Sequence, residues 1–127
     1  MPGEGSVTLH EPREKLTRET IDLHRAIVSL MEELEAVDWY AQRVDATDDA
    51  ALAAILAHNR DEEKEHACMT LEWIRRHDPK FDEMLRRYLF SEGSVVEQER
   101  EHEGSGEGGG AAGDGSLGLG SLREVGS

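Results

Sequence analysis

Asp45-Ala46-Thr47-Asp48-Asp49 separates two long stretches of helical periodicity, and that break decides how the chain is read. Before it, Leu16, Leu23, Ile27, Leu30, Leu34, Val37, Ala41 and Val44 recur at steps of three, four or seven, the spacing of one helix face. No Gly or Pro interrupts residues 14 to 44. After the break, Leu52, Leu56, Ala67, Leu71 and Ile74 trace a second stripe, predicting a helix from about 48 to 77. Thr47 or Asp48 is suited to cap its start, and His77-Asp78-Pro79 closes it. Pro79 also suits the first turn of a short third helix over about 80–90, with Phe81, Leu85, Tyr88 and Leu89.

Two long helices joined by a short turn lie antiparallel. A hairpin buries one face per helix and cannot close a core alone, whereas two hairpins make a four-helix bundle. The expected fold is therefore all-α: an antiparallel two-helix hairpin plus a short C-terminal helix, dimerising into a four-helix bundle. The domain is expected to span residues 14–92. It is preceded by a disordered N-terminus over 1–13, rich in Pro, Gly and Ser. From Gly93 the chain turns charged and then Gly-rich, which predicts a flexible linker over 93–113. Leu117, Leu119 and Leu122 then return on a Gly/Ser background. A solvated spacer has no need of leucine, so residues 114–127 read as a short docking peptide on a tether. A tail that packs on its own domain is the other reading.

The folded part is roughly 75 to 80 residues, a size at which one core is barely self-sufficient and oligomerisation is a common remedy. The net charge of -14 argues against nucleic acid and against anionic membranes as partners. It favours cations, although charge surplus also serves plain solubility. A single cysteine, Cys68, allows no internal disulfide and fits a reducing cytoplasm; no further role is assigned to it. No apolar run is long enough to span a membrane, and Met1-Pro2-Gly3-Glu4 does not open as a signal peptide does. The expected location is cytoplasmic.

The chemistry-bearing stretch is Asn59-Arg60-Asp61-Glu62-Glu63-Lys64-Glu65-His66. At about 100° per residue, Glu63 falls within the stripe of Leu52, Leu56, Ala67, Thr70 and Ile74. A carboxylate among apolar neighbours is costly unless it is paired or bound to metal. His66 follows one turn later. Glu-x-x-His brings a carboxylate and an imidazole to one cation, as in the di-iron carboxylate bundles. Glu-x-x-His also arises by chance in many helices, and Glu63 could instead pair with an Arg of a neighbouring helix.

The first helix offers Met31-Glu32-Glu33-Leu34-Glu35. Glu33 lies at the edge of its apolar stripe, with Glu32 and Glu35 on the polar side. Each chain thus supplies one inward Glu and one Glu-x-x-His, and a di-iron bundle needs each twice. One chain holds half a site, which a symmetric dimer would complete with paired Glu33, Glu63 and His66. Oxygen ligands with one imidazole per metal suit Fe(II) or Mn, with Zn as a competitor. Tyr40, two turns after Glu33 and within about 20° of it on the helix, could hydrogen-bond a ligand carboxylate; ordinary packing explains it equally. Trp39, on the side of Glu32, is read as packing or interface. His58, Glu62 and Glu65 form a separate stripe that reads first as a solvated face and second as a weak surface metal site.

The segments Met31–Tyr40 and Ile55–His66, together with the Gly-rich tail ending in Ser116-Leu117-Gly118-Leu119-Gly120-Ser121-Leu122, resemble the encapsulated ferritins. The resemblance implies two-helix subunits that assemble into a ring-shaped decamer of five dimers. It implies oxidation of Fe(II) to Fe(III) at the dimer interface, with two irons per interface. It also implies carriage as cargo inside an encapsulin nanocompartment, whose shell protein is engaged through residues 114–124. By position, Glu33, Glu63 and His66 would be the ferroxidase ligands, with Tyr40 beside them. Glu32 and Glu35 would form a secondary metal site on the access route, near Trp39. His58, Glu62 and Glu65 would form an outer metal site. Two readings from other classes compete with a ferroxidase: a non-catalytic metal-binding or scaffolding cargo protein, and a helical adaptor without metal.

Overall fold

The computed structural model describes residues 8–110, with side chains through Glu103 and Gly104. Among the described residues every regular element is helical. A 3-10 turn at Arg13–Lys15 precedes α1 (Arg18–Ala46), α2 (Ala50–His77), α3 (Pro79–Tyr88) and α4 (Val95–Gly110). No helix among these residues is long and apolar enough to cross a membrane.

Short polar side chains set each boundary. Thr17 is extended, and its Oγ1 accepts from the Thr20 N–H at 3.0 Å, so α1 begins at Arg18 rather than at residue 14. The α1–α2 turn is three residues, Thr47-Asp48-Asp49. The Thr47 N–H closes α1 on the Arg43 carbonyl. The cap of α2 is Asp49, one residue beyond the expected pair, and its carboxylate accepts from the Leu52 N–H at 3.0 Å. Thr47 assists as an acceptor for the Asp49 N–H at 3.2 Å. Asp78 is extended and accepts from the N–H groups of Lys80 and Phe81, starting α3 with Pro79 in its first position, where no N–H is needed.

A three-residue turn leaves α1 and α2 no option but to pack against each other, and they form the hairpin. Ala67 and Ile74 on α2 are the buried core of the described residues, Ile74 at 1% exposure. The stripes that periodicity selects meet across the hairpin but are not covered by it: Leu34 is 55% exposed and Leu52 44%. Trp39, Ile55 and Met69 are exposed as well. A single hairpin thus leaves much of its apolar surface in solvent.

At the α2–α3 junction, Arg75 pairs with Glu72 one turn earlier and with Asp82 of α3. Arg76 also donates to Glu72 at 2.6 Å. Hydrogen bonds from Arg75 first and then Arg76 lower the Glu72 carboxyl to about 2, and those to Glu72 and then Asp82 raise Arg75.

The chain divides into two units, one ending at Leu85 and the other beginning at Arg86. The second unit contains the main departure from expectation. Residues 93–113 read as a linker, yet α4 occupies Val95–Gly110. Ser94 caps it, accepting from the Glu97 N–H at 3.1 Å, and Arg100 pairs with Glu97. Ser94-Val95-Val96-Glu97 is a capping sequence ahead of good helix formers, a signal that the Gly-rich composition obscured. Phe90, after α3, is fully exposed with φ +63°, a left-handed position usually given to glycine. Residues 1–7 of the expected N-terminal extension and the docking peptide at 114–127 lie outside the described residues.

Candidate metal centre

Glu33 sits midway along α1 and Thr70 on α2, and the two meet across the hairpin. Thr70 Oγ1 donates to Glu33 Oε2 at 3.3 Å. A helical side chain leans toward the N-terminus of its own helix, so in an antiparallel pair Glu33 and Thr70 lean toward each other. The other oxygen, Glu33 Oε1, is buried with no hydrogen-bond partner, the one such side-chain atom among the described residues. A buried carboxylate oxygen left unpaired costs on the order of 1–3 kcal/mol or more. It marks a place where a cation or a water is expected.

Thr70 shares its face of α2 with Glu63, two turns earlier, and with Ala67 and Ile74. Glu63 is half-buried, at 28% side-chain exposure, and its Oε1 lies 3.6 Å from His66 Nδ1. The Glu-x-x-His pair therefore forms as the spacing predicts. His66 is the more exposed of the two, at 48%. The two cations flanking Glu63 along the chain are engaged elsewhere. Arg60 donates to Asp61 at 3.1 Å and Lys64 lies 3.5 Å from the same carboxylate. The Arg60 hydrogen bond, above all, pulls the Asp61 carboxyl below its ordinary value. The ion-pair partner of Glu63 among the described residues is His66 rather than an arginine.

The remaining candidates, Tyr40 apart, are exposed. Glu32 and Glu35 are exposed on α1, and Trp39 is 51% exposed. Tyr40 is half-buried, with the Arg43 guanidinium over its ring at 5.4 Å. His58 Nε2 lies 3.9 Å from Glu62 Oε2 on the outer face of α2, and Glu65 is exposed there. Cys68 is a free, exposed thiol. Among the described residues, no group of three or more His, Cys, Asp or Glu converges on one point within a single chain. Glu63 and His66 are brought together; Glu33 is brought to Thr70.

Sequence reasoning did not pair Thr70 with Glu33. The signal was present, because Thr70 is the one uncharged polar residue on the Glu63–Ala67–Thr70–Ile74 face.

The helical hairpin agrees with comparisons to known proteins. The EncFtn-like family profile matches residues 8–92. The encapsulated ferritin-like protein of Rhodospirillum rubrum is 61% identical over 127 aligned residues, 94% of this chain and 91% of that protein. The encapsulin nanocompartment cargo protein EncC of Myxococcus xanthus is 45% identical over 60 residues, 46% of each chain. The crystal structure of protein ne0167 from Nitrosomonas europaea superposes with a TM-score of 0.67 at 63% identity, over 68% of this chain and 96% of that one. With its helical hairpin and a profile match across residues 8–92, this chain belongs to the EncFtn-like family.

Proposed function

We propose that the protein is a ferroxidase that oxidises Fe(II) to Fe(III) at a di-iron site shared between two copies of the chain, and that it acts as cargo of an encapsulin iron-storage compartment. The observation that carries this reading is the unpartnered, buried Oε1 of Glu33 in the same hairpin as the Glu63–His66 pair. One chain presents one inward carboxylate and one Glu-x-x-His. Two related by a two-fold axis present the four carboxylates and two imidazoles of a di-iron carboxylate centre. The exposed apolar residues on both helices supply a reason for the second hairpin to dock. Assembly beyond the dimer to a decamer, and shell attachment through residues 114–124, complete the proposal; the names of the Rhodospirillum and Myxococcus relatives support the cargo role.

In this reading iron is the substrate. Glu33, Glu63 and His66 hold two Fe(II) ions close together, their negative charge offsetting the repulsion between the cations. Each Fe(II) loses one electron. O2 accepts both electrons with two protons and leaves as hydrogen peroxide. Tyr40 is assigned to the flank of Glu33, to donate a hydrogen bond to a ligand carboxylate. Glu32 and Glu35 form a secondary metal site on the access route beside Trp39. His58, Glu62 and Glu65 form the outer site, where exposed, weakly paired ligands bind and release cations readily.

Aerobic Fe(II) oxidation followed by ultraviolet absorbance tests the activity. The wild type should exceed the buffer rate, and Glu63→Ala should fall at least roughly tenfold toward it. Wild type and variant both at the buffer rate, with metal still bound, would instead make the chain a non-catalytic metal-binding cargo protein. Deleting residues 114–127 should abolish co-purification with the shell while leaving oxidation intact; unchanged loading would remove the docking role from the tail.

A further inference from the structure

We propose that Thr70 is a positioning residue for the metal centre: its hydroxyl holds Glu33 Oε2 so that Oε1 is the oxygen presented to metal. The inference rests on the ferroxidase site proposed above and adds a residue to it. A threonine in mid-helix ordinarily returns its single O–H to the carbonyl four residues back, here that of His66. Thr70 does not. It donates across the hairpin to a residue 37 positions away, at 3.3 Å. A β-branched residue is also a weak choice for the interior of a helix, which calls for a compensating interaction.

The consequence lies in which oxygen is left. Glu33 Oε2 is taken by the hydroxyl, while Oε1 is buried and has no partner. A carboxylate free to rotate would turn either oxygen to a cation and lose entropy when it did so. One held by a neutral donor keeps its full charge and a fixed plane. A neutral hydroxyl is the right chemistry for this, since an ammonium or guanidinium in its place would cancel the charge the metal needs. Partners of this kind fix ligand orientation in metal sites generally.

The test uses Co(II) as a redox-inactive probe, titrated anaerobically into the full chain and read by visible absorbance. Thr70→Val preserves shape and removes the donor. Thr70→Ala removes the donor with a good helix former, in case valine disturbs folding. Thr70→Ser keeps the hydroxyl. Valine and alanine should raise the Co(II) concentration at half-saturation on the order of tenfold, and serine should restore it. In a Glu33→Ala background, Thr70→Val should add nothing, because the residue acts through Glu33. The proposal is overturned if the valine and alanine variants titrate as the wild type does, or if valine weakens binding equally with Glu33 gone. Aerobic Fe(II) oxidation by the wild type separates the two claims. Normal Co(II) binding without oxidation removes the ferroxidase reading and leaves Thr70 judged by the titrations; no Co(II) uptake by the wild type removes both.

Discussion

The proposed site turns on a single carboxylate. Glu33 has one oxygen held by Thr70 and one buried without a partner. In the proposed site that oxygen is a cost without a cation and a ligand with one. Removing the charge should therefore help folding and hurt binding. Glu33→Gln is expected to raise the melting temperature of the metal-free protein and to abolish the further rise that Co(II) produces in the wild type. Thermal melts with and without the ion check both. That Glu63 and His66 lie within an ion pair's reach was legible from helical spacing, because period fixes which residues share a face. The hydrogen bond from Thr70 was not. It depends on how two side chains lean across an antiparallel pair, and only packing reveals that.

At the scale of the element, helix ends are decided by single side chains. Asp49→Ala, at the cap of α2, should cost about 1 kcal/mol, read by denaturant unfolding. The α2–α3 junction behaves differently. Glu72 is held at about 2 by hydrogen bonds from Arg75 and Arg76, below the ordinary glutamate range. A depressed carboxyl stabilises the fold above its unfolded pKa, and that contribution is lost as pH falls from about 4.5 toward 2. The group is exposed, so solvent screens the effect and it is small. Melting temperatures between pH 5 and 2 should fall further for the wild type than for Glu72→Gln. Equal slopes would mean that the cluster does not stabilise the junction. Helix boundaries were legible to within a few residues where caps were strong. The helix at Val95–Gly110 was not anticipated, because glycine content was weighed above the Ser94–Glu97 capping sequence. Glycine costs roughly 1 kcal/mol per residue in a helix, which locates the weak end of α4 at its glycines.

For the whole molecule, the decisive quantity is apolar surface left uncovered. Leu34, Leu52 and Ile55 are all exposed on a hairpin whose buried core is Ala67 and Ile74. In the proposed assembly the short core and the half-complement of ligands have one remedy, a second copy in register. Leu34→Lys would bring a charge to the face assigned to the partner hairpin. It should shift the protein toward monomers at fixed concentration, measured by analytical ultracentrifugation, and lower oxidation in proportion. All-helical architecture was fully legible, because a three-residue turn between two long amphipathic helices leaves little choice. How many copies assemble was not, since an uncovered stripe leaves room for a partner without setting a number.

The sharing of the site between chains is the central claim, and native mass spectrometry alongside Fe(II) oxidation tests it most directly. Wild-type protein and Glu63→Ala would be measured with and without metal, across a dilution series. The account predicts that metal is carried by even-numbered assemblies at two ions per pair of chains, that oxidation per chain falls as those assemblies dissociate, and that Glu63→Ala carries neither ions nor activity at this site. Monomers that bind metal and oxidise iron at the undiminished rate per chain would contradict it.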